Sequence, residues 1–347
     1  MFISAMTIDD LLQKTLRRVL KRGVSIESSR GNSREIIGVM LELKNPLARL
    51  SRSETKGKVF SGLGELLWYL SGRNDLDFIE YYLPEYRKSS DDGLTIYGGY
   101  GPRIRCMHGQ DQIANVLKIL SKRGDSRKAV IQIFDAKDIA EHHNDIPCTC
   151  VLQFFRRNDQ LHMVVYMRSN DAFWGLPHDI FAFTMLQEMI ARKLNIGLGS
   201  YRHSVGSLHL YDKQINDALQ YLNEGWHSTD QYSAMPSMPL NDPWQYISTL
   251  LDAELTIRSG EIIGLNLIKL PPYWKDLTRL LKIFKLGKSG KADDIKKIYS
   301  IKRQMASDVF DIYIDTYYSR RRTLLLSNLE SDRQMSIEDL ISIVGIK

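Results

Sequence analysis

The stretch VLQFFRRNDQLHMVVYMRSNDAFWGLPHDIFAFTMLQEMIARKL, residues 151–194, contains two strand patterns followed by one helix pattern. Val151–Phe155 and Leu161–Met167 are rich in β-branched and aromatic residues with partial alternation, which predicts two strands of a sheet covered on at least one face. From Asp179 to Leu194, apolar side chains recur every three or four residues after Pro177, which predicts a helix with a wide apolar face. This stretch therefore favours a mixed α+β or α/β body.

The flanking segments extend the mixed pattern in both directions. A capping-box-like start at Thr7 and apolar residues at helical spacing predict a first helix that ends at Gly23. Further strands are predicted over Ile36–Leu43 and Ala129–Phe134, and further helices over Gly62–Leu70 and Ile113–Leu120.

The character of the chain changes after about Pro236. Strand signals become rare, and successive helices are predicted over Trp244–Glu254, Pro271–Phe284, Lys291–Tyr318 and Ser336–Val344. The predicted fold class is therefore α+β, a mixed β-sheet flanked by helices with an all-helical C-terminal region. We expect a main domain over residues 1–235 and a mostly helical region of unknown role over residues 236–347.

Composition places the chain among globular proteins. Apolar residues make up 43% and charged residues 25% of its 347 residues, which excludes a disordered, collagenous or fibrous protein. The net charge of +6 is concentrated, because residues 275–322 hold thirteen basic and six acidic residues. These charges sit among apolar residues at helical spacing, which favours a solvated helix face over a nucleic-acid-binding surface.

The cysteines Cys106, Cys148 and Cys150 favour a reducing compartment over a disulfide-stapled secreted scaffold. The N-terminus lacks the pattern of a secretory signal, and no run of about eighteen apolar residues occurs. We therefore expect a cytoplasmic protein without a membrane span. The pair His142-His143 lacks the spacing of a metal site, so no metal is expected.

Residues 145–211 hold most of the reactive side chains. Taken singly, each has an ordinary explanation: Cys148 as a small buried hydrophobe, Arg168 as a surface charge, and Asp179 as a helix-terminus residue. The order and spacing of the wider set carry more information. The motifs are Arg30-Gly31, Glu65-Leu66-Leu67-Trp68-Tyr69-Leu70-Ser71-Gly72, Tyr97-Gly98, Ser126-Arg127, Pro147-Cys148, Arg168-Ser169-x-Asp171, Gly175-Leu176-Pro177 and His209-Leu210-Tyr211.

In this order and at this spacing, the motifs resemble the thymidylate synthase superfamily, closest to its pyrimidine nucleotide (deoxycytidylate or cytidylate) 5-hydroxymethylases. The resemblance covers roughly residues 25–225. It implies a thymidylate synthase-like mixed sheet and a homodimer in which two subunits pack sheet against sheet. It also implies a pyrimidine nucleoside monophosphate as substrate and 5,10-methylenetetrahydrofolate as cosubstrate, which makes residues 1–235 the catalytic domain.

The resemblance further implies catalytic roles. A pyrimidine C5 becomes nucleophilic only after a thiolate adds to C6, and Cys148 is the expected nucleophile. Its thiolate is expected to be favoured by neighbouring arginines such as Arg168. Glu65 is the expected carboxylate that relays protons through ordered water.

The remaining implied residues bind the substrate or the cosubstrate. The phosphate is expected to contact Arg30, Arg168, Ser169 and, across the dimer interface, Arg127, because guanidinium groups suit a phosphate monoester. The sugar 3′-hydroxyl is expected at His209 and Tyr211. The folate is expected at Asp171, which would bond the pterin ring, and at Tyr82 and Tyr86.

One position departs from the thymidylate synthases in a way that bears on the base. Where those enzymes carry Asn after Gly-Leu-Pro-x, this chain has Asp179. A carboxyl group accepts a bond from the N4 amine of cytosine and, when protonated, satisfies the ring nitrogen, whereas an amide suits uracil. The cytidylate hydroxymethylases of the superfamily also carry Asp here, so Asp179 is expected to bind a cytosine base and to take part in catalysis.

The sequence thus predicts hydroxymethyl transfer to C5 of deoxycytidylate (dCMP), giving 5-hydroxymethyl-dCMP and tetrahydrofolate. The family's short apolar tail, which excludes water, is not recognisable in residues 236–347, and a hydroxymethylase needs water. CMP as the substrate and a thymidylate synthase acting on dUMP remain alternatives. A retired scaffold that binds nucleic acid through residues 275–322 is an alternative of another class, and salt-dependent binding to DNA or RNA would favour it.

Overall fold

The computed structural model describes residues 1–28, 30–51, 53, 58–226, 234–261 and 269–331. In these residues the strands are β1 Phe2–Ala5, β2 Val24–Ile26, β3 Ser33–Leu43, β4 Val130–Gln132, β5 Thr149–Arg157, β6 Gln160–Asp171 and β7 Gly197–Tyr211. The α-helices are α1 Ile8–Arg22, α2 Val59–Leu70, α3 Leu76–Tyr82, α4 Tyr100–Cys106, α5 Gln112–Lys122, α6 Gly175–Lys193, α7 Ile215–Asn223, α8 Ile247–Ser259, α9 Pro272–Ser289, α10 Ala292–Lys302 and α11 Asp311–Ser331.

The strands of the described chain form one mixed sheet in the order β1-β3-β7-β6-β5-β4, and β2 pairs with β3 outside this row. β1 runs parallel to β3, and β6 runs parallel to β7. The other neighbouring strands are antiparallel. This sheet with flanking helices confirms the predicted α+β class.

One face of the sheet is buried beneath α6, which packs against β6 and β7. Register neighbours on this face belong to four adjacent strands and expose no surface: Leu41, His203, Val165 and Leu152. Because side chains alternate along a strand, every second residue of these strands lies on the opposite face. The apolar positions of β5 and β6 thus anchor the sheet to the helix that follows them.

α6 begins at Gly175, four residues before the start that the apolar spacing predicted at Asp179. Pro177 therefore lies inside the first turn rather than before it. A proline is tolerated there because first-turn N–H groups have no acceptor within the helix. The Asp171 carboxylate accepts two backbone N–H bonds just before the helix and so fixes the turn from β6 into α6. As a result Asp179 lies in the second turn of α6 and is not a helix-terminus residue.

β5 and β6 shift register by one residue near the start of β5. Thr149 pairs with Met167, whereas Val151 pairs with Tyr166, so Cys150 is the extra residue of a β-bulge. The Cys150 carbonyl oxygen accepts two backbone bonds from the segment that follows β4. The bulge therefore lies two residues after Cys148, at the start of β5.

The chain forms two compact units, Met1–Ile247 and Ser248–Lys347. The described part of the second unit is helical, which confirms the predicted C-terminal helices. The helix predicted over Ser336–Val344 lies outside the described residues. None of the helices that the structure describes is long and apolar enough to cross a lipid bilayer.

The second unit corrects one predicted helix. The segment Lys291–Tyr318, predicted as one helix, is divided between α10 and α11. The buried Asp276 carboxylate of α9 accepts bonds from the N–H groups of Ala306 and Ser307, at 3.0 and 3.1 Å. Because these N–H groups are taken by another helix, they do not continue α10.

Candidate active site

The sequence-predicted residues of β5, β6 and β7 converge at one edge of the sheet. Cys148 comes directly before β5, while β6 and β7 run antiparallel to β5 and end at Asp171 and Tyr211. Asp171 is the register neighbour of His209. The start of β5 and the ends of β6 and β7 therefore place the nucleophile candidate on the same edge of the sheet as the phosphate, sugar and folate candidates.

Cys148 is held next to Arg168. The Nη2 atom of Arg168 lies 3.7 Å from Sγ of Cys148, and the same guanidinium donates to the carbonyl oxygens of Ile146 and Pro147. Burial raises the pKa of the Cys148 thiol to about 11, although the Arg168 and Arg30 charges lower it. The arginine charges thus act on the Cys148 pKa in the expected direction, but burial outweighs them.

Glu65 of α2 is buried and receives two tyrosine hydroxyls. Tyr69, one turn further along α2, donates to Oε1 at 2.9 Å, and Tyr86 donates to the same oxygen at 2.7 Å. Burial, reinforced by the Glu65 charge, raises the pKa of both tyrosines well above the usual value. Both hydroxyls therefore stay protonated and remain donors, which leaves Oε2 of Glu65 available to a water or a substrate.

Asp179 is fixed by an amide that the sequence reasoning did not select. Nδ2 of Asn170, at the end of β6, donates to Oδ2 of Asp179 at 2.6 Å. Asp179 is half-buried. Burial and the nearby Glu65 charge raise the pKa of the Asp179 carboxyl well above its ordinary value. The carboxyl group is therefore held in its neutral form over a wider pH range than an exposed aspartate.

Arg30 forms an ion pair with Asp145 beside this cluster. Its Nη2 atom lies 3.2 Å from Oδ1 of Asp145, and 59% of the Arg30 side chain is exposed. The Arg30 charge lies close enough to Cys148 and Tyr211 to lower the pKa of each, although burial raises both. Arg30 and Arg168 thus place two guanidinium groups near the Cys148 thiol.

Asp171, Ser169 and His209 occupy the ends of β6 and β7. Oδ2 of Asp171 accepts a 2.8 Å bond from Gln214, while Oδ1 accepts the two backbone bonds before α6. Ser169 Oγ lies 3.5 Å from Nδ1 of His209, whose ring packs edge-on against Tyr211. These contacts hold the predicted sugar and folate residues in fixed orientations.

Tyr82 packs against Gly64 of α2, next to Glu65, and Arg127 lies beside the middle of β5. The Tyr82 ring is 5% exposed and packs so closely on Gly64 that a Cβ at Gly64 would lie 2.2 Å from it. A folate-stacking role for Tyr82 stays a prediction and requires that ring to be uncovered. Arg127 is exposed, and its carbonyl oxygen accepts from Gln153, five residues along the chain from Cys148. At about 3.3 Å per strand residue, Arg127 is roughly 15 Å from its own chain's Cys148.

Three residues of the cluster were missed at the sequence level: Asn170, Tyr100 and Gln214. Asn170 stands at position x of the Arg168-Ser169-x-Asp171 motif. The signal available in the sequence was a polar amide at the end of an apolar strand. Tyr100 follows Tyr97-Gly98 and its hydroxyl accepts the backbone N–H of Thr149 at 3.1 Å. Within the described residues, no group of three His, Cys, Asp or Glu side chains is positioned to hold a metal ion.

Comparison with curated proteins finds phage relatives of similar sequence. A protein of Pseudomonas phage M6 is 31% identical over 206 residues, which cover 57% of this chain and 58% of the relative. A protein of Delftia phage PhiW-14 is 29% identical over 228 residues, covering 61% and 63%. A protein of Bacillus phage SP01 is 32% identical over 215 residues, covering 58% and 56%. All three are named deoxyuridylate hydroxymethyltransferase, and this chain spans less than two thirds of the length of each.

A comparison with protein families matches residues 12–257, which is well over half of the chain. The matched family is described as thymidylate synthase. The matched range includes strands β2 to β7 of the sheet and every candidate residue described above, from Arg30 to Tyr211. The chain therefore belongs to the thymidylate synthase family.

Proposed function

We propose that this protein transfers a hydroxymethyl group from 5,10-methylenetetrahydrofolate and water to C5 of dCMP, through a covalent adduct between Cys148 and C6. The observation that carries the choice of base is the bond from Asn170 to Asp179. Oδ2 of Asp179 is the acceptor in this bond, and the carbonyl oxygen of a carboxylic acid is its better acceptor, so we place the proton of the neutral carboxyl group on Oδ1. The carboxyl group then presents one donor, Oδ1–H, and one remaining acceptor lone pair on Oδ2.

This donor and acceptor match one edge of cytosine. Ring atom N3 of cytosine accepts, and its N4 amine donates, whereas uracil has a donor at N3 and an acceptor at O4. With the proton fixed on Oδ1, Asp179 can donate to N3 and accept from N4. A uracil base would need Asp179 to accept from N3 and to donate to O4. Asn170 opposes this arrangement, because its amide donates to Oδ2 and so favours Oδ2 as an acceptor.

The charges near Cys148 suit the rest of a nucleoside monophosphate. Nε and Nη2 of Arg168 donate to backbone carbonyls, which fixes the guanidinium beside Cys148. A bound phosphate would share Arg168 with Cys148, together with Arg30 and Ser169. We propose that Ser169, His209 and Tyr211 hold the nucleotide and that Asp171 and Tyr86 face the folate.

Glu65 is the proposed site of proton relay. Its two tyrosine donors fix one carboxylate oxygen and leave the other to bond an ordered water. The Glu65 charge helps to raise the pKa of the Asp179 carboxyl, so the two groups lie near each other. A base bonded to Asp179 would therefore have its exocyclic amine near the Glu65 carboxylate.

We propose that the active unit is a homodimer in which Arg127 reaches the second subunit's site. Met40, Ser204 and Tyr166 are register neighbours on the sheet face opposite α6, and Met40 and Tyr166 are 36% and 43% exposed. Packing two such faces would cover this apolar surface. Arg127 is exposed and distant from its own Cys148, as an arginine that serves another subunit should be.

A direct test is to incubate the protein with methylenetetrahydrofolate and, separately, dCMP, CMP and dUMP, and then to identify each nucleotide product by mass. We expect dCMP to gain CH₂O with release of tetrahydrofolate. Gain of CH₂ by dUMP with release of dihydrofolate would show a synthase and overturn the proposal. A reaction of CMP alone would support the proposed hydroxymethyl transfer but would show that the substrate is a ribonucleotide.

A second candidate is hydroxymethylation of dUMP, and the names of the three phage relatives favour it. Gain of CH₂O by dUMP at a higher kcat/KM than by dCMP would support this candidate. In that case the Asp179 proton would have to reside on Oδ2, and the bond from Asn170 would have to break when the base binds.

A further inference from the structure

A serine–histidine pair joins α2 to α6 close to Glu65 and Asp179. Ser61 Oγ lies 2.9 Å from Nε2 of His178, and Nδ1 of His178 lies 2.9 Å from the Trp174 carbonyl oxygen. A carbonyl oxygen only accepts, so Nδ1 carries the hydrogen in this arrangement. Nε2 of the neutral ring is then an acceptor, and Ser61 donates to it.

The pair can hold an extra proton without losing a hydrogen bond. Ser61 Oγ has a second acceptor within reach, the Lys58 carbonyl oxygen at 3.3 Å. If Nε2 gains a proton, it becomes a donor to Ser61 Oγ, and the Ser61 hydroxyl hydrogen turns to Lys58. Both protonation states therefore keep the hydrogen bond between Ser61 and His178, which is what a proton relay requires.

The position of the pair is suited to incoming water. Ser61 precedes Glu65 by four residues in α2, so the two side chains share one helix face. His178 directly precedes Asp179 in α6. Trp174, whose carbonyl orients His178, is 42% exposed. The pair is thus one helical turn from Glu65 along α2, next to Asp179 along α6, and bonded to a residue that contacts solvent.

From this geometry we infer that Ser61 and His178 activate the water that becomes the hydroxyl of the product, an inference that rests on the proposed hydroxymethyl transfer. After the folate leaves, the nucleotide carries an exocyclic methylene group at C5, with Cys148 still bonded to C6. Water attacks the methylene carbon and loses a proton to Ser61 Oγ, while the Ser61 proton passes to Nε2 of His178. The C–O bond forms, the methylene electron pair moves onto the ring, and it then expels the Cys148 thiolate as the C5–C6 double bond returns.

The test separates formation of the methylene group from its capture by water, and it follows a single turnover with the protein in excess over the nucleotide, sampled at early times. The substrate is whichever of dCMP and dUMP the unmodified protein hydroxymethylates, labelled with tritium at C5. Tritium leaves C5 before water is captured, so released tritium counts methylene formation, and the CH₂O product counts capture. The variants are His178→Gln, Ser61→Ala and Ser61→Thr, with His142→Gln on an exposed loop as the matched control.

We expect His178→Gln to lower the ratio of product to released tritium by about tenfold or more, because general base catalysis commonly contributes about a hundredfold or more. Ser61→Ala should lower the same ratio, and Ser61→Thr should restore it since the hydroxyl remains. Imidazole added to a His178→Ala protein should raise the ratio again. The control should keep the ratio of the unmodified protein.

A purely structural link between α2 and α6 would change folding stability or kcat but would leave the ratio unchanged. An unchanged ratio in folded His178→Gln and Ser61→Ala proteins would therefore overturn the relay while the proposed function stood. A methyl product from the unmodified protein would overturn the proposed function itself, and the relay with it, since no water would then be captured.

Discussion

Nδ2 of Asn170 lies 2.6 Å from Oδ2 of Asp179, so the amide engages one particular oxygen of this carboxyl group. The two residues are nine positions apart, at the end of β6 and in the second turn of α6. In the proposed function, this contact between a strand and the helix that follows it determines which pyrimidine base Asp179 binds.

The first prediction concerns this bond. Asn170→Ala should lower kcat/KM for dCMP relative to dUMP by about tenfold, because an unsatisfied buried polar contact costs about 1–3 kcal/mol and about 1.4 kcal/mol is a factor of ten. Asp179→Asn should shift the ratio further toward dUMP, since an amide suits uracil. Asn115→Ala, on exposed α5, is the matched control. An unchanged ratio in both site variants would remove Asp179 from base recognition.

The second prediction separates binding from turnover. Cys148→Ser should abolish product formation while nucleotide binding measured by calorimetry stays within about threefold, because the proposed phosphate and base contacts involve other residues. Cys150→Ser should keep turnover. A folded but inactive Cys150→Ser protein, or an active Cys148→Ser protein, would show that the wrong sulfur has been chosen.

The third prediction follows from the pKa of Cys148, which burial raises to about 11. Only the thiolate reacts with iodoacetamide, so at about pH 8 Cys148 should be alkylated at least about tenfold more slowly than the exposed Cys106. Its rate should rise about tenfold for each pH unit until the pH approaches the pKa. Arg168→Gln should slow it further, because the guanidinium lowers that pKa. The alkylation of each cysteine is measured by peptide mass spectrometry. Equal rates for Cys148 and Cys106 would contradict the claim that burial raises the pKa of Cys148.

The fourth prediction addresses Glu65. Glu65→Gln should lower kcat by about a hundredfold with a small change in KM, because the amide cannot accept and return protons as a carboxylate does. Tyr86→Phe, which removes one of its two donors, should have a smaller effect. Glu85→Gln on the exposed surface should behave like the unmodified protein. A Glu65→Gln protein with ordinary kcat would assign the proton relay to another group.

The fifth prediction tests the shared site. An Arg127→Ala subunit mixed with a Cys148→Ala subunit should regain roughly a quarter of the activity, since half of the dimers are mixed and each has one intact site. Mixing an Arg123→Ala subunit with the Cys148→Ala subunit should not improve on the activity of the Arg123→Ala homodimers. Absence of recovery where subunit exchange is demonstrated by mass would place Arg127 outside the site.

The sequence was most informative where residue types and order matched a family pattern. Cys148, Arg168 and Glu65 were selected in this way, and the structure places Arg168 against Cys148. Asn170 escaped notice because its value depends on a side-chain contact nine residues away, which no periodicity reports. The division of the helix predicted over Lys291–Tyr318 has a similar cause, since the Asp276 carboxylate that interrupts it lies on a different helix.

The bulge at Cys150 makes the length of this segment matter more than the identity of its residues. Side chains alternate between the two faces of a sheet, so one extra residue in β5 reverses the alternation before that point. Deleting Cys150 would restore regular pairing and rotate Cys148 toward the other face of the sheet, whereas replacing Cys150 would leave Cys148 in place. A related sequence that keeps the nucleophile but lacks one residue between it and Val151 would thus carry the thiol on the other face of the sheet. The number of residues in this segment therefore distinguishes an active site from an inactive one.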